Sequence, residues 1–249
     1  MLLGIAYLGQ PIYGAFISVA TGYAAIEVRG MLRKGGYAPL DWLLIGLAAL
    51  LPLITWLGGD AILLVTLALI LGLASLVVRP TSERALVDWA LSLSLALYLG
   101  AFMAFYMPLR DAFAAPFGGF WVMALLVLSW VCDSSAFFVG RAYGHTPLAP
   151  SVSPKKSVEG AVAGLIAPTV VAMLLASFLG VPVLMFAGYG LAIAIATEVG
   201  DLIESMIKRQ TGVKDSGVLI PGHGGLLDRM DSLLLCAPVA VLYLRAFGA

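Results

Sequence analysis

The chain has 249 residues, a formal net charge of zero and only 11% charged side chains, whereas a typical soluble domain has about 25%. Its mean hydropathy is +1.03. This composition excludes an ordinary soluble protein, and the balanced charge gives no reason to expect a nucleic-acid partner. Most apolar runs are around 20 residues long, enough for a helix to cross about 30 Å of hydrocarbon. The sequence therefore predicts an all-α polytopic membrane protein.

In chain order, Met1–Gln10 is apolar but too short to span a membrane, and it lacks the pattern of a cleaved signal peptide. About eight full spans follow. We expect one integral membrane domain over residues 1–249, with N-terminal helices in 1–118 and catalytic helices and loops in 119–249. The predicted spans are Pro11–Val28, Pro39–Leu57, Ala61–Val78, Ala85–Tyr106, Gly119–Val139, Gly160–Leu179, Val181–Ile207 and Ser232–Ala246.

The charges of the loops predict the orientation of these spans. If the loops after Val28, Val78, Val139 and Ile207 share one side, that side holds 12 of the 14 Lys and Arg residues. The positive-inside rule makes that side cytoplasmic. We therefore expect a multi-pass protein of the cell's inner (plasma) membrane, with its polar loops and active site at the cytoplasmic face.

Four isolated polar or reactive residues have simple interpretations. Cys132 and Cys236 stand alone in apolar runs, so we expect buried packing and no disulfide or zinc site. Glu27 and Asp88 are single acids near helix ends, where exposure at the membrane interface is the expected explanation.

The C-terminal end of the span Val181–Ile207 is unusually polar. One interpretation is a helix end that enters water, with an i,i+4 pair between Glu204 and Lys208. The other is a cation site, because three acids within seven residues repel one another, and oxygen ligands suit Mg²⁺. The polar residues that recur on one helical face are Glu198, Asp201, Glu204, Ser205 and Lys208.

A second carboxylate pair, Asp228 and Asp231, follows the flexible sequence His223-Gly224-Gly225. Alone, such a segment is a common turn. Carboxylates that hold a divalent ion beside cations that hold phosphates are, however, the groups that phosphoryl-type transfer requires. The neighbouring cations are Lys208, Arg209, Lys214 and Arg229.

The preceding polar loop, Gly140–Glu159, places lysines and hydroxyls just before a helix. A helix N-terminus favours anions, although ordinary capping and positive-inside lysines explain the same residues. Asp133 lies inside the span before this loop and should face the interior and pair with a cation such as Arg141. The loop residues of interest are Ser153, Lys155, Lys156, Ser157 and Glu159.

These motifs resemble the phosphatidate cytidylyltransferase (CDP-diacylglycerol synthase) family. The principal match is Ser205-x-x-Lys208-Arg209-x4-Lys214-Asp215-x-Gly217-x3-Pro221-x-His223-Gly224-Gly225-x-x-Asp228-Arg229-x-Asp231. Two shorter matches are Asp133-x-x-Ala136-Phe137-x-x-Gly140-Arg141-x-x-Gly144 and Ser153-Pro154-Lys155-Lys156-Ser157-x-Glu159-Gly160. The motifs cover about residues 130–232, and the N-terminal half agrees only in hydropathy and in Glu27 closing a span.

The resemblance implies transfer of CMP from CTP to phosphatidic acid, which gives CDP-diacylglycerol and pyrophosphate in phospholipid biosynthesis. It also implies Mg²⁺, with a possible second, monovalent cation, a homodimer in the lipid bilayer and about nine helices. It makes Asp201 and Asp228 the principal metal ligands, with Asp231 as a third. The implied catalytic residues are Asp201, Asp228, Asp231, Lys208, Asp215 and His223. The implied substrate-binding residues are Ser153, Lys155, Lys156, Ser157, Arg141, Arg209, Lys214 and Arg229.

The chain departs from the family at two loop positions and at its start. His145 stands where the family usually has Lys or Arg, and Ser157 replaces the commoner Thr. Only Met1–Gln10 remains of the family's longer first helix, as a truncated or re-entrant segment. Two alternatives stay open. One is a CTP-dependent enzyme for another lipid, such as CDP-archaeol synthesis or polyprenol phosphorylation. The other is an ion-coupled transporter, although no internal repeat supports it.

Overall fold

The computed structural model describes residues 4, 9–78, 83–111, 113, 115–117, 119–217 and 224–247. Helices dominate this part of the chain, as the apolar composition predicts. In order they are α1 (Gln10–Lys34), α2 (Leu47–Trp56, entered through a π-helical turn at Trp42–Gly46), α3 (Ala61–Val78), α4 (Ala85–Ala104), α5 (Tyr106–Asp111), α6 (Phe120–Tyr143), α7 (Val158–Leu179), α8 (Val183–Gln210) and α9 (Asp231–Phe247).

Within the described residues, six helical segments are long and apolar enough to cross a membrane. The shorter apolar helix Trp42–Trp56 and the 17-residue α9 fall outside that set. The prediction of a mostly helical, multi-pass membrane protein is therefore confirmed, while the count of eight spans stays a prediction. The segments are Pro11–Lys34, Ala61–Val78, Ala85–Asp111, Phe120–Tyr143, Val158–Leu179 and Val183–Gln210.

The described chain forms two compact units, and the boundary within α8 falls between Ile207 and Lys208. The first unit comprises the described residues of Gln10–Met107 and Lys208–Met230. The second comprises those of Met1–Gly9, Pro108–Ile207 and Asp231–Ala249. The expected single membrane domain stays a prediction, as does the truncated or re-entrant segment Met1–Gln10, which lies almost entirely outside the described residues.

Close helix contacts and buried polar clamps hold the first unit together. A Cβ at Gly100 of α4 would lie 2.8 Å from the Cα and O atoms of Ala48, so only glycine lets α2 approach this closely. Asp88 is 4% exposed and accepts a hydrogen bond from the backbone N–H of Ala38 at 3.0 Å. Ser92 accepts one from the backbone N–H of Leu40 at 2.8 Å. These side chains satisfy backbone donors in the buried connection between α1 and α2.

The expectation that Glu27 and Asp88 are exposed at the interface is wrong. Glu27 is 7% exposed and Asp88 is 4% exposed. Both accept hydrogen bonds from backbone N–H groups of segments distant in sequence. Helical position alone could not reveal this, because a buried acid is tolerated only where a distant chain segment supplies its donors.

The second unit is built on tight packing of α6 against α7. A Cβ at Gly160 would lie 2.7 Å from the carbonyl O of Ala136 and 3.1 Å from the Cα of Gly140. Such contacts between small residues are typical of helix pairs in membranes. Cys132 and Cys236 are buried free thiols, as predicted.

A short antiparallel hairpin connects α6 to α7, where the sequence predicted only a polar loop. Strand β1 (Pro147–Ala149) pairs with β2 (Ser153–Ser157), and α6 continues to Tyr143, beyond its predicted end. Strands this short, with two prolines and two lysines, carry no alternation that would identify them. The hairpin fixes β2, which carries both lysines of the loop.

Candidate active site

Lys156 is the centre of the candidate site in the second unit. Its Nζ lies 2.8 Å from Oε2 of Glu198 and 2.9 Å from Oδ2 of Asp201, both on α8. The lysine side chain is only 21% exposed. The structure therefore brings a predicted phosphate-binding lysine together with a predicted metal ligand.

The charge of Lys156 is strongly favoured in this position. Burial acts to lower the pKa of its ammonium group, but the charge of Asp201 and the hydrogen bonds to Glu198 and Asp201 outweigh it. The net result is a pKa raised above the usual lysine value. Lys156 is therefore a permanent cation at any physiological pH.

Further acids surround this ion-pair cluster. Asp133 of α6 interacts electrostatically with Asp231, Asp201, Glu198 and Lys156. Asp133 is exposed, so the expectation that it faces the interior is wrong, and Lys156 is a cation that acts on it. The expected partner, Arg141, lies exposed in the last turn of α6. Among described residues, no ion pair includes Arg141.

Asp231 begins α9, and its Oδ1 accepts a hydrogen bond from the backbone N–H of Ser232 at 2.7 Å. An acid in the first turn of a helix is stabilised by the helix dipole. The structure therefore gives Asp231 a local capping contact in addition to its place near Asp133 and Asp201.

The hairpin that carries Lys156 is anchored at its base. Ser157 is the N-cap of α7 and its Oγ accepts a hydrogen bond from the backbone N–H of Gly160 at 3.2 Å, as predicted. Glu159 instead accepts hydrogen bonds from the backbone N–H groups of His145 and Thr146 and from the Thr146 hydroxyl. Ser153 is half-buried and Lys155 is exposed on the same strand.

The first unit contains a second cation–carboxylate pair. Nζ of Lys208 lies 2.8 Å from Oδ1 of Asp228, and both side chains are largely buried. Oδ2 of Asp228 accepts hydrogen bonds from the backbone N–H of Gly225 at 2.8 Å and from the N–H and the hydroxyl of Ser216, each at 2.9 Å. Gly224 has φ +80° there, and a Cβ would lie 2.5 Å from the same Oδ2. The glycine is thus required for the chain to fold around the carboxylate.

These contacts determine the ionisation of Asp228. Burial acts to raise the pKa of its carboxyl group, but the hydrogen bonds from Lys208, Gly225 and Ser216 lower that pKa by a larger amount. The pKa is therefore below the usual aspartate value. Asp228 is an anion held in a fixed orientation.

The remaining predicted site residues of the first unit are more open. Arg209, Lys214, Asp215 and Arg229 are all exposed. Arg209 donates a hydrogen bond to the carbonyl O of Val213 at 3.3 Å. His223 lies outside the described residues, so its catalytic role stays a prediction. Glu204, which one interpretation paired with Lys208 in water, is 1% exposed.

Two residues of these clusters, Ser216 and Glu27, were not predicted as site residues, and they contact Asp228 or the backbone just before it. Glu198, which holds Lys156, was among the acids of the predicted cation site, because it lies three residues before Asp201 on the polar face of α8. For Glu27 the signal was limited to its agreement with the family at the end of a span, since its partners lie at the other end of the chain.

The carboxylates of the candidate site are the kind of oxygen ligand that Mg²⁺ prefers. Among described residues, no group of three or more His, Cys, Asp or Glu side chains is spaced as a metal site. Mg²⁺ usually needs only one or two carboxylates, because water and substrate phosphates complete its shell. A carboxylate offers about four acceptor positions, two on each oxygen. Asp201 uses one position on each oxygen, for Lys156 and for Ser205. Oδ2 of Asp228 is filled by Gly225 and Ser216, whereas Oδ1 meets Lys208 and has a second position. Both aspartates therefore fit a cation.

The chain is similar in sequence to known proteins over most of its length. The profile described as the cytidylyltransferase family matches residues 1–247. A phosphatidate cytidylyltransferase of Mycobacterium bovis is 33% identical, across 98% of this chain and 84% of that protein. A Thermotoga maritima phosphatidate cytidylyltransferase is 39% identical across 60% of this chain and 56% of that protein. Phosphatidate cytidylyltransferase 4, chloroplastic, of Arabidopsis thaliana is 35% identical across 80% of this chain.

The match spans 56% of the length of the Thermotoga and Arabidopsis relatives. The family profile, in contrast, covers nearly the whole of this chain. The chain therefore belongs to the cytidylyltransferase family, the family of the phosphatidate cytidylyltransferases.

Proposed function

We propose that this protein transfers CMP from CTP to phosphatidic acid, forming CDP-diacylglycerol and pyrophosphate. The observation that carries the proposal is the contact of Lys156 with Glu198 and Asp201. It joins a basic hairpin suited to phosphates to an acidic helix suited to a cation. The printed names of the relatives support the choice of substrates.

The reaction depends more on neutralising and aligning two anions than on covalent catalysis by the protein. A phosphate oxygen of phosphatidic acid forms a bond to the α-phosphorus of CTP, and the bond from that phosphorus to the pyrophosphate oxygen breaks. Both reactants are anions, so cations must hold them together and in line. The residues we assign to this task are Lys155, Lys156, Lys208 and Arg209.

We assign the cation site to Asp201, Asp228 and Asp231, with Mg²⁺ as its occupant. When bound, Mg²⁺ supplies positive charge that neutralises phosphate oxygens. The chain's own contribution is to fix the carboxylates: Lys156 and Ser205 hold Asp201, while Ser216, Gly225 and Lys208 hold Asp228.

We further propose that the protein works as a homodimer in the inner membrane, with its catalytic loops in the cytoplasm. All eight predicted spans then cross, including Trp42–Trp56 and α9. Support comes from the loop charges and from α3, whose Ile62, Val77 and Val78 are about 80% exposed, as lipid-facing residues are.

Purified protein in detergent, given CTP, phosphatidic acid and Mg²⁺, should release pyrophosphate only when all three are present. Mass spectrometry should identify CDP-diacylglycerol as the lipid product. Equal turnover with a polyprenol, or release of CDP instead of pyrophosphate, would refute the assignment and favour a lipid kinase.

A further inference from the structure

Glu27 of α1 is a buried carboxylate outside the proposed catalytic set. Its Oε1 accepts a hydrogen bond from the backbone N–H of Leu226 at 2.9 Å, and its Oε2 accepts one from Leu227 at 2.8 Å. These N–H groups begin the 3₁₀ turn Leu227–Arg229, whose own N-cap residue, Leu226, has no side-chain acceptor. Glu27 thus caps a turn from a distant helix.

The surrounding chain is shaped to admit this carboxylate. A Cβ at Gly217 would lie 2.5 Å from Oε1 of Glu27, and a Cβ at Gly225 would lie 2.6 Å from both carboxylate oxygens. Real Cβ atoms essentially never lie this close to another heavy atom, so a side chain at either position would displace the carboxylate. Gly217 and Gly225 therefore both lie directly against the carboxylate of Glu27.

Ser216 connects Glu27 to Asp228. Its hydroxyl oxygen lies 3.2 Å from Oε2 of Glu27 and 2.9 Å from Oδ2 of Asp228. The hydroxyl has one proton, which the two carboxylate oxygens share in a three-centre hydrogen bond whose shorter contact is to Asp228. The backbone N–H of Ser216 donates to the same oxygen of Asp228. The residues that fix Asp228 are therefore those that Glu27 holds.

We propose that Glu27 is a positioning residue for Asp228. It fixes Ser216 through the shared proton and Gly225 through the adjoining N–H groups of Leu226 and Leu227. Ser216 and Gly225 in turn fix Oδ2 of Asp228, and Oδ1 is left directed at Lys208. Groups that orient a metal ligand through hydrogen bonds typically change metal affinity by about 10- to 100-fold when removed. The consequence for the cation rests on the proposed function, whereas the anchoring of the turn does not.

The test compares Glu27→Gln with a matched control, Asp88→Asn, in the purified full-length protein. Both are buried acids of the first unit that bind backbone N–H groups. Glu27 uses both oxygens, so an amide leaves one N–H facing an NH₂ group. Asp88 accepts its described hydrogen bond at Oδ1, and the amide oxygen of an asparagine can accept the same bond.

Without substrates, hydrogen exchange at Leu226 and Leu227 should accelerate in Glu27→Gln and stay at the wild-type rate in Asp88→Asn. In the CTP assay, the half-saturating Mg²⁺ concentration should rise roughly 10- to 100-fold in Glu27→Gln alone. A purely structural role would lower the active fraction without shifting that concentration. Wild-type exchange together with unchanged half-saturation would overturn the proposal.

A second variant keeps the test decisive if Glu27→Gln is unstable. Ser216→Ala removes the connecting hydroxyl and keeps the backbone N–H donor. It should raise the half-saturating Mg²⁺ concentration, and the double variant should exceed Glu27→Gln by no more than about twofold, because coupled residues are not additive. Fully additive effects would contradict the link. If the wild-type protein lacks turnover, the proposed function fails, while the exchange rates still decide the anchoring.

Discussion

At the scale of single residues, the two lysines of β2 have different environments despite being adjacent. Lys156 lies between two carboxylates of α8, whereas Lys155 is exposed. Removing Lys156 leaves Glu198 and Asp201 facing each other as like charges. Removing Lys155 leaves no such conflict. The two lysines should therefore differ in their kinetic effects.

We expect Lys156→Met to lower kcat by about 100- to 1,000-fold, the loss typical of a missing transition-state charge contact. Lys155→Met, the matched control, should mainly raise the KM for CTP. Steady-state kinetics over a range of CTP concentrations separates the two effects. Equal changes in both variants would show that the ion pairs of Lys156 have no specific role.

The shifted pKa values of Lys156 and Asp228 also predict how the free energy of unfolding depends on pH. The folded pKa of Lys156 is raised, so its contribution is complete below about pH 10 and is lost as pH rises through the folded pKa. The folded pKa of Asp228 is lowered, so its contribution is complete above about pH 4 and is lost as pH falls through the folded pKa. Neither contribution changes in the neutral range.

The difference in unfolding temperature between wild type and Lys156→Met should accordingly stay constant from about pH 5 to pH 9. Thermal unfolding in detergent at a series of pH values measures it. A difference that shrinks well below pH 9 would mean that Lys156 loses its proton far earlier than its ion pairs allow.

At the scale of elements, the α6–α7 pair depends on glycine. A Cβ at Gly160 would meet backbone atoms of Ala136 and Gly140, which cannot rotate away. A Cβ at Gly164 would instead meet Oε1 of Glu198 at 2.7 Å, the end of a flexible side chain. The first contact bears on stability, and the second on the position of Glu198 beside Lys156.

Gly160→Ala should therefore destabilise the protein by about 1–3 kcal/mol, the usual cost of overpacking. Gly30→Ala is the control, since its Cβ would meet no atom within 4 Å. Thermal or denaturant unfolding in detergent compares them. Equal stability of the two variants would show that α6 and α7 can separate without cost.

At the scale of the whole molecule, the proposed cation ligands are divided between two sections of the chain. Asp201 and Asp231 belong to the second unit, and Asp228 belongs to the first. Each is held by its own set of partners within its unit. Each proposed ligand can therefore be tested by a substitution within its own unit.

Asp201→Asn and Asp228→Asn should each reduce turnover at saturating Mg²⁺ by well over about tenfold, the lower bound for residues that only orient a ligand. Both variants should still fold, as judged by size-exclusion chromatography and thermal unfolding. A variant that retained more than about a tenth of wild-type turnover would remove that aspartate from the metal site.

The sequence alone determined the class of protein and the motifs of the site. Helical membrane spans follow from hydropathy over about 20 residues, which is a local property. The Ser153–Glu159 and Lys208–Asp231 motifs predicted Lys156 and Asp228, and the polar end of the span Val181–Ile207 predicted Asp201, because charged residues are rare in an apolar chain and must bind something. Helix capping by Ser157 was likewise local and correctly predicted.

The tertiary structure decided which groups meet. The contact of Lys156 with Glu198 and the contacts of Glu27 with Ser216, Leu226 and Leu227 join segments far apart in sequence. No periodicity encodes such pairings, because each depends on how helices pack and on which backbone donors are left unsatisfied. A buried acid such as Glu27 therefore looks like an interfacial one until its distant partners are known.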